Sequence, residues 1–269
     1  MQLQGVVDRI AAAEPALVIV DYDGTLAPIV VDPEGAVPFP AAPAALRDLV
    51  ATGVHVAVVS GRPVDYLLRH VAVEGVELVG QYGLERSIDG RAVADPRAEP
   101  WAASVRAAGA ELDSALPALY IERKAAIAVT VHWRAVGEFG ADDLTAIDDI
   151  ARRHGLAVHE SRKARELRPP IDVDKGDAVE QLLAAHHPAG AIFAGDDFGD
   201  LAAFAALDAA AERGAARAVV KVGVLSPEAP PELVEAADLL VDGPAGVVAL
   251  FTGISDARAR AGSATTPPA

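Results

Sequence analysis

The chain lacks cysteine, has few aromatic residues and has no long apolar segment. Without cysteine it can form neither a disulfide framework nor a thiolate nucleophile. Aromatic residues make up only 4% of the chain, which argues weakly against a surface that stacks nucleic-acid bases. No apolar run approaches the ~18 residues of a membrane helix, and the start of the chain does not resemble a signal peptide. We therefore expect a soluble, cytoplasmic protein.

Positive charge is also scarce. The chain has 23 basic and 39 acidic residues and a net charge of -16. Because this excess repels other polyanions, we expect neither nucleic acid nor a membrane surface as a partner. An anionic small molecule would need local positive charge from a metal ion, a few Lys or Arg side chains, or helix N-termini.

Apolar residues are abundant, at 52% of 269 residues, which is enough for one substantial core and a smaller inserted domain. Short apolar runs alternate with helical segments in the first and last thirds of the chain. This order predicts an α/β core with a doubly wound, mostly parallel, Rossmann-like sheet. Residues 27–43 contain five prolines, which predicts an ordered loop or flap over the end of a strand.

The run Leu17–Val20 predicts a strand that is buried on both faces. Asp21 and Asp23 follow it directly, together with Gly24 and Thr25. Open parallel sheets bind ligands beyond the carboxyl ends of their strands, so we expect these aspartates to face a crevice. Two carboxylates this close favour a divalent cation or the unequal sharing of a proton. The alternative is an Asx turn that ends the strand.

Three later segments also place polar groups at the ends of strands or the starts of helices. Ser60 follows the predicted strand Val54–Val59, where its hydroxyl and the free N–H groups of the next helix could hold a phosphate oxygen or only cap that helix. Lys175 opens a helix, where it could face the same crevice or be only an exposed lysine. Three acids follow the predicted strand Ala191–Ala194: Asp196, Asp197 and Asp200. The alternative interpretation of these acids is a charged helix cap.

The pattern changes between residues 95 and 168. There a helix, a hairpin, a second helix and a second hairpin follow one another, which is typical of an α+β module and not of a parallel core. We therefore predict that a cap domain is inserted into the core. The predicted division is a discontinuous core of residues 1–94 and 169–254, a cap of residues 95–168, and a disordered tail of residues 255–269.

The four polar segments, in this order, resemble the haloacid dehalogenase (HAD) superfamily of phosphohydrolases. The sequence DYDGT at 21–25 looks like its first motif and VVSGR at 58–62 its second. The pair Lys175-Gly176 looks like the third motif, and GDDFGD at 195–200 the fourth. The resemblance implies phosphoryl transfer on a HAD core with a C2-type cap.

The same resemblance implies a role for each motif residue. Asp21 would be the nucleophile that forms an aspartyl-phosphate, and Asp23 the general acid and base. An acid at this second position points to phosphatase or mutase chemistry. Lys175 and Ser60 would neutralise and orient the phosphoryl oxygens. Mg²⁺ would be bound by Asp21, the backbone carbonyl of Asp23 and Asp196, with Asp197 and Asp200 in the outer shell or assisting.

The cap carries a second set of motifs: Glu122-Arg123-Lys124, His132-Trp133-Arg134 and Glu166-Leu167-Arg168-Pro169-Pro170. Together with DYDGTLAPI they resemble the trehalose-6-phosphate phosphatase family. By that resemblance Glu122, Lys124 and Glu166 would bind glucose hydroxyls. The alternative is a solvated strand face on which Glu166 merely pairs with Arg168. Five further residues are assigned to substrate binding: Thr25, Gly61, Arg62, His132 and Arg134.

Two positions depart from the family pattern. Tyr82-Gly83 stands where the family usually has a His-Gly pair, and Gly199, Leu201 and Ala202 replace a threonine and further acids. The sequence thus predicts a Mg²⁺-dependent sugar-phosphate phosphatase that acts on trehalose 6-phosphate, with a monomer as the default state. The alternatives are a phosphatase for another phosphorylated disaccharide, pseudo-disaccharide or glycosyl-phosphoglycerate, a phosphosugar mutase, and a phosphosugar-binding module without turnover.

Overall fold

We describe a computed structural model of the chain. The structure describes residues 1–30, 33–134, 136, 139–161, 163–226 and 229–264. Its strands, in chain order, are β1 (Ala16–Val20), β2 (His55–Val59), β3 (Val76–Gly80), β4 (Glu85–Ile88), β5 (Arg91–Ala94), β6 (Tyr120–Lys124), β7 (Ala128–His132), β8 (Ala157–Ser161), β9 (Ala164–Arg168), β10 (Gly190–Gly195), β11 (Ala218–Leu225) and β12 (Leu239–Asp242).

The α-helices lie between these strands and at both ends of the described chain. They are α1 (Leu3–Ala11), α2 (Ala42–Ala51), α3 (Val64–His70), α4 (Ala102–Ala115), α5 (Ala141–Arg153), α6 (Lys175–His186), α7 (Asp200–Glu212), α8 (Pro231–Ala236) and α9 (Gly243–Ala264). Short 3₁₀ helices cover Pro33–Gly35, Gln81–Gly83 and Glu99–Trp101. In the described ranges, none of the helices combines the length and the apolar character needed to cross a bilayer.

The larger sheet has eight strands in the order β12-β11-β10-β1-β2-β3-β4-β5. The strands from β12 to β3 are parallel, and the hairpin of β4 and β5 adds two antiparallel strands at one edge. β1 lies between β10 and β2 and is buried along its whole length. This arrangement confirms the predicted α/β core with a mostly parallel sheet.

Alternate residues of β1 face two different layers of the core. Val18 and Val20 pack in a cluster with the side chains of α1, α2 and α9. Leu17 and Ile19 pack on the opposite face, with side chains of α6 and α7. Burial of one such side chain is worth about 1.5–3 kcal/mol, so an uninterrupted apolar run suits a strand with helices on both faces.

A smaller antiparallel sheet, in the order β6-β7-β9-β8, follows the β4–β5 hairpin in the chain. The helices α4 and α5 cover one of its faces, through a core that includes Val105, Ile121, Ile150 and Leu167. The chain returns to the larger sheet through Pro169 and Pro170, ahead of α6. The structure therefore confirms an inserted α+β cap, and the residue bounds of core and cap stay a prediction.

The disordered tail predicted from residue 255 is wrong as far as residue 264. Helix α9 continues through this segment. Ser255 is buried, and the guanidinium of Arg258 donates hydrogen bonds to the carbonyls of Ala13 and Thr52, at 2.8 and 3.1 Å. These contacts hold α9 against the residues that directly follow α1 and α2. The rest of the predicted tail, residues 265–269, lies outside the described residues.

The proline-rich segment 27–43 is irregular as far as it is described. A 3₁₀ turn begins at Pro33, Ala36 is buried, and α2 begins at Ala42. The Phe39 N–H donates a hydrogen bond to the Leu26 carbonyl at 2.8 Å, which fixes the loop to the residues after β1. Residues 31 and 32 of the predicted flap lie outside the described residues.

Candidate active site

Three parallel strands end together at one edge of the larger sheet. Val20, the last residue of β1, is level with Ala194 in β10 and Val58 in β2. Asp21 comes directly after Val20, and the Asp21 N–H continues the ladder by donating to the Ala194 carbonyl at 2.9 Å. Asp196 and Ser60 follow the two flanking strands in the same direction. The predicted crevice at the carboxyl ends of the strands therefore holds groups from three separate segments.

Asp21, Asp196 and Asp200 form a compact group that we call the carboxylate cluster. One oxygen of each lies within 4.8 Å of the others. Asp21 and Asp196 are 4% exposed and Asp200 is fully buried. Burial raises the pKa of Asp196 to about 7 and that of Asp200 to about 6, and adjacent acids add to both shifts. Burial likewise raises the pKa of Asp21, against the opposing charge of Lys175.

Lys175, the first residue of α6, supplies positive charge beside this cluster. Its Nζ lies 2.7 Å from Asp200 Oδ1 and 3.0 Å from Asp21 Oδ1. The side chain is 4% exposed, which excludes the alternative of a solvated helix-start lysine. Burial lowers the pKa of Lys175, but the surrounding aspartates raise it further, so the net shift is upward and the ammonium stays charged. One ammonium cannot balance three buried carboxylates.

The fourth motif separates into buried and exposed acids. The second carboxylate oxygen of Asp200 accepts hydrogen bonds from the N–H groups of Asp196, at 2.9 Å, and Asp197, at 3.0 Å. Asp200 thus belongs to the carboxylate cluster and also shapes the turn after β10. The Asp197 side chain is 64% exposed, accepts from the Gly199 N–H at 2.8 Å and lies 3.9 Å from Lys175 Nζ. Asp197 therefore lies outside the cluster.

The glycine of the first motif allows the β1 and β10 loops to meet. Gly24 has φ +79°, and a Cβ built on it would lie 2.0 Å from Asp196 Oδ2. The next residue, Thr25, is fully buried, and its hydroxyl donates to Asp196 Oδ1 at 3.3 Å. Only glycine combines this backbone conformation with this space. The DYDGT segment therefore also positions an acid that lies 171 residues later in the chain.

Asp23 points to Arg62 in the second motif. Arg62 Nε and Nη2 donate to the two carboxylate oxygens of Asp23, both at 2.7 Å. The Ser60 hydroxyl, which is 1% exposed, accepts from the Arg62 N–H at 3.2 Å. The first and second motifs are thus joined by a bidentate ion pair, a geometry in which arginine binds a carboxylate with high directionality.

The predicted cap residues share one face of the smaller sheet. Glu122 is level with Thr130, and Thr130 is level with Glu166, so they form one cross-strand row. Lys124 Nζ donates to Glu166 Oε2 at 2.5 Å, and the Thr130 hydroxyl donates to the same oxygen at 3.2 Å. His132 and Glu122 are hydrogen-bonded at 2.8 Å. We call these residues the cap polar face.

The alternative of a solvated strand face is wrong. Glu122 and Lys124 are 8% exposed and Glu166 is 4% exposed. Glu166 pairs with Lys124, which lies on the same face of the sheet two residues along β6 from Glu122, and not with Arg168. Lys124 Nζ also reaches the Gly61 carbonyl of the second motif at 3.4 Å, so the cap polar face meets the core at this point.

One predicted cap residue is not brought into this face. Arg134 lies beyond the end of β7, is partly exposed, and within the described ranges forms no hydrogen bond with the other predicted site residues. In contrast, Glu166 Oε1 is buried and has no partner among the described atoms. A buried acceptor that lacks a donor is destabilising, so this oxygen is available for a hydroxyl or amine of a ligand.

Tyr82 and Thr130 belong to the site, although their sequence context did not assign them to it. The Tyr82 ring packs on Gly61, where a Cβ would lie 2.6 Å from the phenol oxygen. The Arg168 guanidinium carbon lies 5.0 Å from the centre of the same ring. Burial, together with the smaller effect of the nearby Glu166 charge, raises the pKa of Tyr82 to about 12. The sequence feature that could have assigned Tyr82 to the site is the departure from His-Gly at this position. For Thr130 it is strand alternation, which places this residue on the same face as the other cap residues.

The carboxylate cluster fits a metal ion. Three buried carboxylates are hard oxygen ligands, and the Lys175 ammonium beside them contacts two of the three, Asp21 and Asp200. A divalent cation would supply the charge that one ammonium leaves unbalanced.

A mostly parallel sheet with acids after its central strand, a buried lysine at the start of a later helix and an inserted cap define a HAD-type fold. A solved haloacid dehalogenase-like hydrolase from Bacteroides thetaiotaomicron has this fold, with a TM-score of 0.61 over 89% of this chain and 99% of its own, at 16% identity. The model of the trehalose-phosphatase family matches residues 19–230. The chain belongs to the trehalose-phosphatase family, which confirms the resemblance found in its motifs.

Individual relatives agree with this family. The chain is 34% identical over 221 residues to the trehalose-phosphate phosphatase of Mycobacterium leprae, covering 77% of this chain and 51% of the relative. It is 34% identical over 218 residues to that of Mycobacterium tuberculosis H37Rv, covering 76% and 54%. The chain thus spans about half the length of the curated relatives it matches. A solved trehalose-6-phosphate phosphatase related protein superposes with a TM-score of 0.74 at 25% identity, covering 91% of this chain and 99% of that one.

Proposed function

We propose that this chain is a phosphoric monoester hydrolase that removes the phosphate from trehalose 6-phosphate. The observation that carries the proposal is the buried Asp21 carboxylate, 3.0 Å from the Lys175 ammonium at the carboxyl end of the central strand. The cap polar face meets this end of the core through Lys124. Membership of the trehalose-phosphatase family and the names of the mycobacterial relatives support the choice of substrate.

The reaction has two steps. An oxygen of Asp21 attacks phosphorus and the bond from phosphorus to the sugar oxygen breaks, while Asp23 donates a proton to that oxygen. Water then attacks the aspartyl-phosphate, Asp23 accepts a proton from the water, and inorganic phosphate leaves with the Asp21 carboxylate restored. Lys175 and Ser60 hold the phosphoryl oxygens during both steps.

The bound metal is proposed to be Mg²⁺, which prefers oxygen ligands and keeps several waters. Asp21, Asp196 and the Asp23 backbone carbonyl would hold it, with Asp200 assisting from the floor of the cluster and Asp197 in the outer shell. When bound, it would supply positive charge against the phosphoryl group and the acids. The place of Asp200 within the cluster supports this assisting role.

The cap polar face is proposed to bind the sugar. Glu122 and Glu166 would accept hydrogen bonds from hydroxyl groups and Lys124 would donate one. The unpartnered Glu166 Oε1 supports this assignment, because a sugar hydroxyl would satisfy it. The remaining proposed substrate contacts come from Thr25, Gly61, Arg62, His132 and Arg134. Arg134 has the weakest support, since it stands apart from the others.

The test is phosphate release across a panel of trehalose 6-phosphate, glucose 6-phosphate, other phosphorylated disaccharides and a glycosyl-phosphoglycerate, with Asp21→Asn as the matched variant. We expect the highest kcat/KM on trehalose 6-phosphate and a loss of about 10⁴-fold or more in kcat for Asp21→Asn, as for other nucleophile deletions. Equal turnover by both proteins would rule out the nucleophile. A higher kcat/KM on another member of the panel would overturn the choice of sugar.

The same panel separates the remaining alternatives. Saturable binding of trehalose 6-phosphate without phosphate release would indicate a phosphosugar-binding module. An isomerised sugar phosphate detected by ³¹P NMR would indicate a mutase. Tyr82 stands where the family usually has a histidine, and its ring lies beside Gly61 and next to the cap polar face. This difference is the reason for including other phosphorylated disaccharides in the panel.

A further inference from the structure

The guanidinium of Arg62 lies between Asp23 and the ring of Tyr66. Two parallel hydrogen bonds of 2.7 Å join it to both oxygens of Asp23. The Arg62 side chain is 10% exposed, whereas the Asp23 side chain is 40% exposed. A carboxylate with this much exposure would sample several rotamers, so the bidentate pair restricts Asp23 to one orientation.

The Tyr66 ring in turn fixes the guanidinium. Arg62 Cζ lies 4.4 Å from the centre of the ring, within the range of a cation–π contact. The Tyr66 hydroxyl donates to the Ala36 carbonyl at 2.7 Å, and Tyr22 donates to the same carbonyl at 2.7 Å. The two rings meet edge to face at 5.7 Å. Tyr66 is therefore held both at its hydroxyl and along its edge.

The backbone of Arg62 is held as well. Its N–H donates to the Ser60 hydroxyl at 3.2 Å, and its carbonyl accepts from the Gln81 N–H at 3.1 Å. A Cβ on Gly80 would lie 2.6 Å from the Arg62 carbonyl oxygen, so β3 passes this segment at close range. The backbone and the guanidinium of Arg62 are thus both held in place.

These contacts form a continuous series from the proline-rich loop to the proposed proton donor. Ala36 belongs to the loop and is 1% exposed, and Tyr66 is 3% exposed. We call the series Ala36, Tyr66 and Arg62 the Asp23 brace. The Arg62 guanidinium reaches the proposed reaction through its two hydrogen bonds to Asp23.

We propose that Arg62 is a positioning residue for Asp23, and that the Asp23 brace aims the Asp23 carboxyl group at the oxygen of the leaving group. The inference rests on the proposed function, because it takes Asp23 as the proton donor. Before the step, one Asp23 oxygen carries the proton and the other accepts from Arg62. The bond from Asp21 to phosphorus then forms, the bond from phosphorus to the sugar oxygen breaks, and the proton passes to that oxygen, which leaves the Asp23 carboxylate with both of its hydrogen bonds from Arg62. The sugar then leaves as a neutral alcohol.

Leaving groups of different basicity test this role. A sugar alkoxide is strongly basic and needs the proton, whereas p-nitrophenolate departs as a stable anion. The kcat/KM value reports on events up to departure of the leaving group, so it isolates this step from hydrolysis of the aspartyl-phosphate. We would measure kcat/KM for trehalose 6-phosphate and p-nitrophenyl phosphate with the wild type and Arg62→Ala.

We expect Arg62→Ala to lower kcat/KM on trehalose 6-phosphate by about 10²-fold, and on p-nitrophenyl phosphate by less than about 5-fold, because general acid catalysis contributes about 10²- to 10⁴-fold to the first substrate. If Arg62 instead binds the phosphoryl group, both substrates lose the same factor, since both carry that group. An equal loss would therefore overturn the inference, and so would no loss on either substrate.

Arg69→Ala is the matched control. Arg69 lies on the same helix, α3, and its guanidinium carbon is 5.6 Å from the centre of the same Tyr66 ring. It is exposed, and no hydrogen bond from it to Asp23 occurs among the described residues. We expect both kcat/KM values of Arg69→Ala to stay within about 2-fold of the wild type, because its ring contact reaches no reacting group.

Two further variants keep the test informative if Arg62→Ala is poorly folded. Arg62→Lys keeps the charge but can make only a single directed contact, so it should restore part of the activity on the sugar phosphate. Tyr66→Leu removes the ring and should reproduce the selective loss in weaker form. If the wild type hydrolyses neither substrate, the proposed function fails and the inference with it. If the wild type hydrolyses both and the variants lose both equally, only the inference fails.

Discussion

The core and the cap both bury charged side chains, but they balance the charge differently. In the core, the Lys175 ammonium contacts two of the three buried carboxylates, Asp21 and Asp200, so negative charge is in excess. On the cap polar face, Glu166 is paired with the Lys124 ammonium and Glu122 is hydrogen-bonded to His132. Negative charge in the core cluster thus exceeds the positive charge beside it, whereas the cap polar face is largely satisfied before any ligand binds.

This difference indicates how each region contributes. An undercompensated cluster stores electrostatic repulsion that a bound cation would relieve, so under the proposed function its variants should act mainly on kcat. A paired face offers orientation, and among its described atoms one buried oxygen without a partner, Glu166 Oε1, is left for a ligand. Its variants should act mainly on KM and on stability.

Of the predictions that test this comparison, the one with the largest expected effect asks how closely the two core loops must meet. Gly24→Ala would place a Cβ 2.0 Å from Asp196 Oδ2, at a backbone φ of +79°. We expect kcat to fall by about 10²-fold, because misplacement of a reacting group by about 1 Å has effects of this size. Steady-state kinetics on the best substrate of the panel, with thermal melting to check folding, measures it.

Gly90→Ala is its control. Gly90 has a similar φ of +71° in the β4–β5 turn, but a Cβ added there would have nothing within 4 Å. It should lose only about 1–2 kcal/mol of stability from the left-handed backbone and keep its kcat. If Gly24→Ala behaves like Gly90→Ala, close approach to Asp196 is not required by the core.

The second prediction tests the excess charge itself. In EDTA, Asp196→Asn should melt at a higher temperature than the wild type, because it removes one of the mutually repelling carboxylates. In Mg²⁺ the order should reverse, because the wild type gains binding free energy that the variant lacks. A change of 1 kcal/mol corresponds to about 2–4 °C for a chain of this size, so differential scanning calorimetry resolves the crossing.

The cap supplies the comparison for this result. Glu166→Gln removes a carboxylate that already has a partner, Lys124, so it should melt below the wild type in EDTA and in Mg²⁺ alike. If Asp196→Asn also melts below the wild type in EDTA, the carboxylate cluster is already balanced without a metal, and the contrast between core and cap disappears.

Much of the core could be predicted from the sequence, because its signals are local. Leu17–Val20 is uniformly apolar and ends in two acids, and such a run is typical of a central parallel strand whichever residues lie beside it. The direction of parallel strands then brings Asp21, Ser60 and Asp196 to one edge without further information. The core site therefore follows from four short motifs and one rule of topology.

The rest depends on contacts between distant segments. Pairing of Glu166 with Lys124 and not Arg168 is decided by the register of three antiparallel strands, and a shift of one residue would turn these side chains to the other face. The tail is helical as far as residue 264, and the contacts of Arg258 with Ala13 and Thr52 join segments more than 200 residues apart. Small and polar residues there resemble a disordered tail when read without those partners.

The smallest expected effect concerns the pH dependence of the cap. Burial raises the pKa of Glu122, but the hydrogen bond with His132, together with Lys124 and Arg62, lowers it, and the net value lies below the ordinary 4.5. A depressed folded-state pKa means that the unfolded chain binds more protons. The stabilisation from Glu122 is therefore complete above about pH 4.5 and is lost as the pH falls through the folded-state pKa.

Glu122→Gln keeps the size and one acceptor oxygen but removes this charge. We expect it to be less stable than the wild type at pH 7 by about 1 kcal/mol. Thermal melts of both proteins between pH 7 and pH 4 should show this difference in stability shrinking as the pH falls. Glu160→Gln is the control on the same sheet, since the Glu160 side chain is 77% exposed in its pair with Arg165 and should contribute little at either pH. A constant difference from pH 7 to pH 4 would show that Glu122 acts through packing alone, and the cap acids would then not be balanced by charge as the comparison requires.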